Sequence, residues 1–237
     1  MKEWPRDLRE RSKYVDSIFG TIAPRYDLLT RLLSFGQDAR WKARILRFIP
    51  EGDETTRRLD LATGTAALPI LFRRTRYRGT IVGLDRNRAM LREGRLKCAE
   101  STRIGFVLGD LCRPHFRERS FDAITMAYGL RYLGDLRGSL EDIHRMLKPG
   151  GVFVCLDFGL PRNLWYRRLC LGYLLTFGTL WGFLLHRRAD TYWHIVESLC
   201  AYPGQDAVAR LMKEVGFADI RMEEQLGGIS AIIRGAK

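Results

Sequence analysis

The chain has 237 residues, of which 46% are hydrophobic and 28% are charged. The hydrophobic share excludes a disordered chain, and 23 glycines without a fixed period exclude a collagen-like repeat. A formal net charge of +13 favours an anionic partner, although an arginine-rich composition alone would also produce it. Five cysteines without Cys-x-x-Cys spacing argue against a disulfide framework or a zinc site and fit a reducing cytoplasm.

Apolar residues recur at helical spacing through the first fifty residues, with a break at Pro24. Beyond them, short apolar runs predict strands at 57–62, 80–85, 103–110, 121–128, 151–158, 218–224 and 229–234. Helices are predicted at 66–75, 87–100, 135–147, 163–186, 190–200 and 204–215. Strand and helix alternate as in βαβ units, which predicts a mainly parallel sheet covered on both faces. A glycine pair joins the last two strands closely enough for a hairpin, so the last strand is expected to be antiparallel.

Acidic residues stand at the ends of the first three predicted strands: Asp60, Asp85 and Asp110. Ligands of an open α/β sheet lie beyond these strand ends. The turn after Asp60 contains Gly64 as its only glycine, so the G-x-G-x-x-G pattern of a dinucleotide site is absent. Each acid alone is also typical of a helix cap or a turn. The three together favour a nucleoside with a cationic tail, such as S-adenosylmethionine, with Asp85 on the ribose and Asp110 on the adenine amino group.

Seven stretches between residues 14 and 235 carry a resemblance to a known family. They are residues 15–41, which include Tyr26-Asp27 and Trp41, and residues 59–70, 84–91, 120–135, 145–161, 189–206 and 212–217. In these stretches the chain resembles the ubiquinone/menaquinone biosynthesis C-methyltransferases, which are class I S-adenosylmethionine-dependent methyltransferases. The first stretch and the C-terminal ones are specific to that family.

The resemblance implies an α/β, Rossmann-like class I methyltransferase domain over residues 1–237, with a mainly parallel seven-stranded sheet and an antiparallel C-terminal strand. Residues 1–50 would form a helical N-terminal extension, 51–160 the cofactor-binding core, 161–203 an apolar helical lid insertion, and 204–237 the closing helix and strands. The implied reaction is transfer of a methyl group from S-adenosylmethionine to the quinol ring of a polyprenyl quinone precursor, which is demethylmenaquinol, a ubiquinone precursor or both.

The resemblance also implies which residues form the site. The expected cofactor-binding residues are Tyr26, Asp60, Ala62, Gly64, Thr65, Asp85, Arg86, Asp110, Leu111 and Ala127. Arg131 is the first catalytic candidate, with His194 and Asp190 as rivals, and no metal site is expected. An arginine cannot act as the base, so Arg131 would hold a water or stabilise a phenolate.

The chain departs from the family pattern at several positions in the site. Ala66 stands where the family usually has glycine, and its methyl group is expected to crowd the cofactor turn and weaken affinity. Tyr132 replaces the asparagine that usually follows Gly-Leu-Arg, which affects the substrate side. These departures leave Asp60, Asp85, Asp110 and Arg131 in place.

The segment from Leu169 to Leu185 is apolar and has basic residues at both ends. A spanning helix would separate strands of one sheet across the bilayer, and a plain core helix leaves the basic ends unexplained. We therefore expect a lid over a prenyl tail that binds anionic lipid peripherally, on the inner face of the cytoplasmic membrane. Trp165, Tyr173, Phe177, Trp181 and Phe183 would line an apolar groove or dip into lipid, and Arg167, Arg168, Arg187 and Arg188 would meet headgroups.

Three other functions compete with quinol methylation. Methylation of RNA would need an Asn-Pro-Pro-Tyr-like motif after the fourth strand, where the chain has Ala127-Tyr128-Gly129-Leu130, so no nucleic-acid partner is expected. The chain could instead methylate another small apolar molecule, or be a degenerate, membrane-associated protein that only binds S-adenosylmethionine. A homodimer is compatible with each of these functions. The first 13 residues are charged, so no signal peptide is expected.

Overall fold

Seven strands form one sheet in the order β3-β2-β1-β4-β5-β7-β6 in a computed structural model, which describes residues 7–75, 77–112, 114–186 and 193–237. The strands are β1 Arg57–Leu61, β2 Thr80–Asp85, β3 Ile104–Leu108, β4 Phe121–Ala127, β5 Leu147–Phe158, β6 Ala218–Gln225 and β7 Ser230–Ala236. The first five strands are parallel, and β7 is antiparallel to both β5 and β6. The prediction of a mainly parallel sheet with an antiparallel C-terminal strand is therefore confirmed.

Nine α-helices are described. They are α1 Leu8–Ile22, α2 Tyr26–Leu33, α3 Gln37–Ile45, α4 Ala67–Arg74, α5 Arg88–Lys97, α6 Leu136–Met146, α7 Leu164–His186, α8 Trp193–Ala201 and α9 Gln205–Val215. The break predicted at Pro24 is a short 3-10 turn, Ala23–Arg25, between α1 and α2. Because proline lacks the backbone N–H that a continuous helix needs, the chain turns there.

Alternation along the strands divides the core into two layers. In β4, Ile124 and Met126 belong to a cluster with residues of α6 and α9, whereas Ala123 belongs to a second cluster with residues of α3 and α4. In β5, Phe153 joins the first cluster and Val154 the second. Successive side chains of a strand point to opposite faces, so these helices cover the two faces of the sheet.

A third apolar cluster joins the N-terminal helices to the later ones. Ile22 of α1 and Leu29 of α2 pack with Met90 of α5 and with Ile195 and Leu199 of α8. Helix α8 also contacts the 3-10 turn after β4, and α7 contacts both α2 and α8. Helices α7 and α8 therefore pack against the N-terminal helices.

Three details differ from the predicted elements. Strand β3 ends at Leu108, so Asp110 lies in the loop beyond it. Strand β5 begins at Leu147, because Leu147 pairs with Phe121 of β4 ahead of a register shift. The helical spacing of Leu28, Leu29, Leu32 and Leu33 predicts one apolar face, but Leu28 of α2 is 49% exposed.

Candidate active site

A cavity with an empty volume of about 760 Å³, open mouth included, lies at the carboxyl ends of β1 and β2. We call it the acidic cavity, because Asp60 and Asp85 line it. Lys42 and Asn87 add further polar groups to its wall, and Leu68 and Met90 add apolar ones. A parallel sheet opens such a crevice where helices leave successive strand ends.

Asp85 fixes the turns that follow both strands. One carboxylate oxygen accepts a hydrogen bond from the Gly64 amide at 2.8 Å, and the other accepts one from the Asn87 amide at 2.8 Å. Burial raises the pKa of the Asp85 carboxyl group, and the backbone amides oppose that shift. Each carboxylate oxygen has a second lone pair, so Asp85 can still accept hydrogen bonds from a ligand.

Asp60 lies deeper, with 2% of its surface exposed. It accepts a hydrogen bond from the Thr125 hydroxyl at 2.7 Å. Burial raises the pKa of Asp60 to about 7, and this hydrogen bond only partly opposes the shift. A cationic ligand in the cavity would favour the ionised carboxylate and lower this pKa.

The turn after β1 takes the left-handed conformation at Ala62, Gly64 and Ala66, with φ of 53°, 53° and 65°. Ala66 is fully buried and its methyl group faces Gly94 of α5, where an added Cβ would lie 3.3 Å away. Ala66 does not line the acidic cavity. Any loss of affinity caused by Ala66 would therefore act through the shape of the turn rather than by direct crowding.

All of the predicted cofactor-binding residues except Asp110 line this cavity: Tyr26, Asp60, Ala62, Gly64, Thr65, Asp85, Arg86, Leu111 and Ala127. Asp110 is exposed, and its carboxylate accepts a hydrogen bond from the Cys112 amide at 3.0 Å. Since β3 ends two residues earlier, Asp110 belongs to the following turn. The structure does not bring it to the cavity.

A second cavity, with an empty volume of about 520 Å³, adjoins the first. We call it the aromatic cavity. Its wall comes from α1, α2, α3, the turn after β4 and α8, and includes Leu29, Leu33, Trp41, Phe158 and Ile195. Phe19, Tyr26, Tyr128 and Tyr132 line both cavities, so the two spaces share one aromatic wall.

Arg131 lines the aromatic cavity, and four neighbouring side chains contact its guanidinium group. It forms a buried ion pair with Asp157, and its Nε donates a hydrogen bond to the Ser198 hydroxyl at 3.2 Å. The guanidinium also lies 4.7 Å from the centre of the Tyr132 ring and 4.8 Å from that of Phe158. Burial alone would lower the pKa of Arg131, but the Asp157 carboxylate together with Tyr132 and Tyr26 outweighs burial and raises this pKa.

His194 also lines the aromatic cavity and is 1% exposed. Its ring meets Phe19 edge to face at 5.8 Å and lies 6.1 Å from Tyr132. The structure thus brings Arg131 and His194 to one cavity, each next to Tyr132. Asp190, the third catalytic candidate, lies outside the described residues.

Several residues of the two cavities were not found from the sequence. The Lys42 ammonium donates a hydrogen bond to Asp38 at 2.9 Å, and Lys42 lines the acidic cavity while Asp38 lines the aromatic one. Tyr128 has a left-handed φ of 60° and lies between them. Lys42 directly follows the recognised stretch 15–41. Asp157, which pairs with Arg131 but lines neither cavity itself, is the penultimate residue of β5, where the strand-end rule could have found it. Within the described part of the chain, no group of three or more His, Cys, Asp or Glu residues could hold a metal ion.

Solved structures show the same fold. A S-adenosylmethionine-dependent methyltransferase from Thermotoga maritima matches with a TM-score of 0.67 and 16% identity, covering 94% of this chain and 99% of that one. A Haemonchus contortus phosphoethanolamine N-methyltransferase, in complex with S-adenosyl-L-methionine, also matches with a TM-score of 0.67 and 16% identity. That match covers 100% of this chain and 60% of the other. Both carry the class I methyltransferase architecture.

Sequence comparison gives a closer relationship. The ubiquinone/menaquinone biosynthesis C-methyltransferase of Geobacter sulfurreducens is 35% identical over 97% of this chain and 91% of its own. The demethylmenaquinone methyltransferase of Staphylococcus saprophyticus is 28% identical over 98% of this chain and 99% of its own. The sequence model of the ubiE/COQ5 methyltransferase family matches residues 7–237. The chain therefore belongs to the ubiE/COQ5 methyltransferase family.

Proposed function

We propose that this methyltransferase transfers the methyl group of S-adenosylmethionine to a ring carbon of a polyprenyl quinol in quinone biosynthesis. Family membership and the activities of the named relatives support the reaction class. The observation that carries the proposal is the shared wall of Phe19, Tyr26, Tyr128 and Tyr132, because it joins an acidic cavity to an aromatic one. A charged nucleoside fits the first and a flat apolar ring fits the second.

The acidic cavity fits S-adenosylmethionine. Asp85 would accept hydrogen bonds from the ribose, and Asp60 would face the positive charge of the ligand. The Thr63 hydroxyl and the Arg86 Nε are buried without a hydrogen-bond partner among the described residues, and both residues line this cavity. Buried polar groups without a hydrogen-bond partner in the protein are expected to form hydrogen bonds with a ligand or with water. When bound, the sulfonium supplies an already activated methyl group, so the protein needs chiefly to position the acceptor.

The aromatic cavity fits the quinol ring. Aromatic side chains prefer offset or edge-to-face contact with another ring, which Phe19, Tyr128 and Tyr132 can offer. Arg131 keeps its proton because its pKa is raised, so it can stabilise negative charge on a ring oxygen but cannot accept a proton. His194 lies beside the same space and remains a candidate for contact with the ring.

Activity with a short-chain substrate tests this function. Purified protein with S-adenosylmethionine and chemically reduced demethylmenaquinol bearing a short prenyl tail should yield the ring-methylated quinol, detected by its added mass. A demethylated benzoquinol precursor in a parallel assay separates the two ring classes. If neither ring gains a methyl group while S-adenosylmethionine binds, the proposed function is wrong.

We also propose that α7 holds the protein on an anionic membrane surface. Its exposed apolar residues are Leu164, Trp165, Leu169, Phe177, Leu180, Phe183 and Leu184. At 3.6 residues per turn, Trp165, Leu169 and Phe183 lie within about 40° of one another around the helix. The Arg168 guanidinium lies 5.4 Å from the Trp165 ring, so a cation accompanies this apolar face.

Other aromatic residues of α7 face the protein. Tyr173 donates a hydrogen bond to the Leu33 carbonyl at 3.1 Å, and Trp181 packs against the third apolar cluster. Arg187 and Arg188 lie outside the described residues. None of the helices described reaches the length and hydropathy that a bilayer crossing requires.

Sedimentation with vesicles tests the membrane proposal. The protein should bind vesicles rich in phosphatidylglycerol at low salt and be released by high salt, since each basic residue near the surface contributes about 1 kcal/mol. Replacing Trp165, Leu169 and Phe183 by serine should abolish binding. The control replaces Leu96 of α5 and Leu108 of the edge strand β3 by serine, because these leucines are 65% and 46% exposed and lie outside α7. Equal loss in both variants, or no binding by the wild type, would overturn the proposal.

A further inference from the structure

Two buried polar atoms beside the aromatic cavity have no hydrogen-bond partner among the described residues: one carboxylate oxygen of Asp38 and the hydroxyl of Tyr128. Asp38 lies in the first turn of α3, and Tyr128 directly follows β4. Both residues line the aromatic cavity, and Tyr128 also lines the acidic one. Unpaired polar groups cost stability unless a ligand or water completes them.

The other Asp38 oxygen is already held. It accepts a hydrogen bond from the Lys42 ammonium at 2.9 Å, and both side chains are largely buried, with 14% and 10% exposed. Lys42 lies one helical turn further along α3, so the pair fixes the carboxylate against its own helix. The group therefore presents one oxygen that Lys42 anchors and one that faces the Tyr128 hydroxyl.

Few groups of this cavity can accept a proton. Arg131 stays protonated because its pKa is raised. Burial, followed by the charge of Asp38, raises the pKa values of Tyr26 and Tyr128, so both phenols keep their protons and act as donors. Asp38 and His194 remain, and Asp38 is the only carboxylate in the described wall of the cavity. The groups facing Asp38 are Lys42 on its own helix, Tyr26 on α2 and Tyr128 after β4.

We propose that Asp38 is the general base that removes the proton from the ring hydroxyl next to the carbon to be methylated. The inference rests on the proposed function. It assigns the proton transfer to Asp38, which is not among the catalytic candidates that the sequence predicts. The Tyr128 hydroxyl then donates a hydrogen bond to the ring oxygen as negative charge develops there, and Lys42 keeps the carboxylate in place.

The step balances. The hydroxyl proton passes to Asp38, and the neighbouring ring carbon forms the new C–C bond while the C–S bond of the methyl donor breaks, leaving its electron pair on sulfur. The ring carbon then loses its own proton to water as aromaticity returns, and Asp38 gives its proton back to the ring oxygen. One proton is released for each methyl group transferred, and no oxidant or metal is required.

The test compares Asp38→Asn with the wild type in the short-chain quinol assay. General-base catalysis contributes about 10²- to 10⁴-fold, so turnover should fall by that factor near neutral pH while the dissociation constant for S-adenosylhomocysteine stays within twofold. The variant should recover about tenfold in rate per pH unit as the quinol ionises in solution. A merely structural role would not produce this slope.

A second variant covers the case in which Asp38→Asn does not fold. Asp38→Ala leaves space for a small acid, and added formate, but not chloride, should restore part of the turnover. His194→Gln is the competing variant. If it shows the pH-dependent recovery while Asp38→Asn keeps the wild-type rate, the base is His194 and our assignment is wrong. If the wild type methylates no quinol, the proposed function fails, and the assignment of Asp38 fails with it.

Discussion

The acidic and aromatic cavities differ in the partners of their charged side chains. In the acidic cavity, Asp60 and Asp85 are held by a hydroxyl and by backbone amides, and no ion pair to a cationic side chain is described for either. In the aromatic cavity, the Arg131 guanidinium is paired with Asp157 and covered by two rings. The first cavity thus keeps carboxyl groups without a cationic partner, which a cationic ligand would ionise, whereas the second neutralises its strongest charge within the protein. A cationic methyl donor and an apolar ring need these two different environments.

The largest expected effect comes from breaking the buried ion pair. Arg131→Met should leave Asp157 without its partner and lower the free energy of unfolding by about 3–5 kcal/mol. Urea denaturation measures this change. Arg131→Met combined with Asp157→Asn should recover most of the loss, because neither charge is then buried alone. If Arg131→Met lowers the free energy of unfolding by less than about 1 kcal/mol, Arg131 does not neutralise a buried Asp157 carboxylate. The contrast between the two cavities would then be wrong.

The second expected effect is a pH dependence due to Asp60. Its pKa is about 7 in the folded protein and about 3.9 when unfolded, so the folded state holds an extra proton between these values. Stability from this group is complete below pH 4 and is lost as the pH rises towards 7, by up to about 4 kcal/mol. Thermal unfolding of ligand-free Asp60→Asn should lack this loss. If the two proteins keep a constant difference from pH 4 to pH 8, Asp60 is not held uncharged by burial.

The third prediction sharpens the role of Asp85. Asp85→Ala removes a buried charged acceptor and should weaken S-adenosylmethionine binding by about 2–4 kcal/mol, as one or two charge-assisted hydrogen bonds are lost. Asp110→Ala is the matched control at the neighbouring strand. Its exposed carboxylate lies away from the cavity, so the cost should stay below about 0.5 kcal/mol. Titration calorimetry on both variants gives the comparison, and equal losses would contradict it.

The smallest effect is expected at Ala66. Ala66→Gly relieves a left-handed backbone that costs about 1 kcal/mol with a side chain, but it also removes a fully buried methyl group worth about 0.8 kcal/mol. Stability should therefore change by less than about 1 kcal/mol, and affinity for S-adenosylmethionine should stay within twofold. A tenfold gain in affinity would instead support the expectation from the sequence that this methyl group crowds the cofactor turn and weakens affinity.

The acidic cavity could be predicted from the sequence because it depends on local order. Strand ends in a parallel sheet meet at one edge, so Asp60 and Asp85 were expected together and are found together. The same prediction is wrong for Asp110, because β3 ends at Leu108 and the chain turns before it reaches Asp110. A difference of two residues in a strand boundary was enough to remove a side chain from the site.

The aromatic cavity could be predicted only in part. Arg131 and His194 were named through the family resemblance, but their surroundings come from segments far apart in the chain. Asp38, Ser198 and Asp157 meet this cavity or its arginine only after α3, α8 and β5 have packed together. No periodicity or spacing in the sequence encodes those contacts, because tertiary packing sets them.

A crystal structure with S-adenosylhomocysteine and a short-chain demethylated quinol tests the central claim most directly. The account predicts the nucleoside in the acidic cavity with its ribose against Asp85, and the ring in the aromatic cavity near Arg131 and Tyr132. The ring carbon should face the sulfur across the shared wall of Phe19, Tyr26 and Tyr128. A ring bound on the outer face of α7, or a nucleoside outside the acidic cavity, would contradict the account.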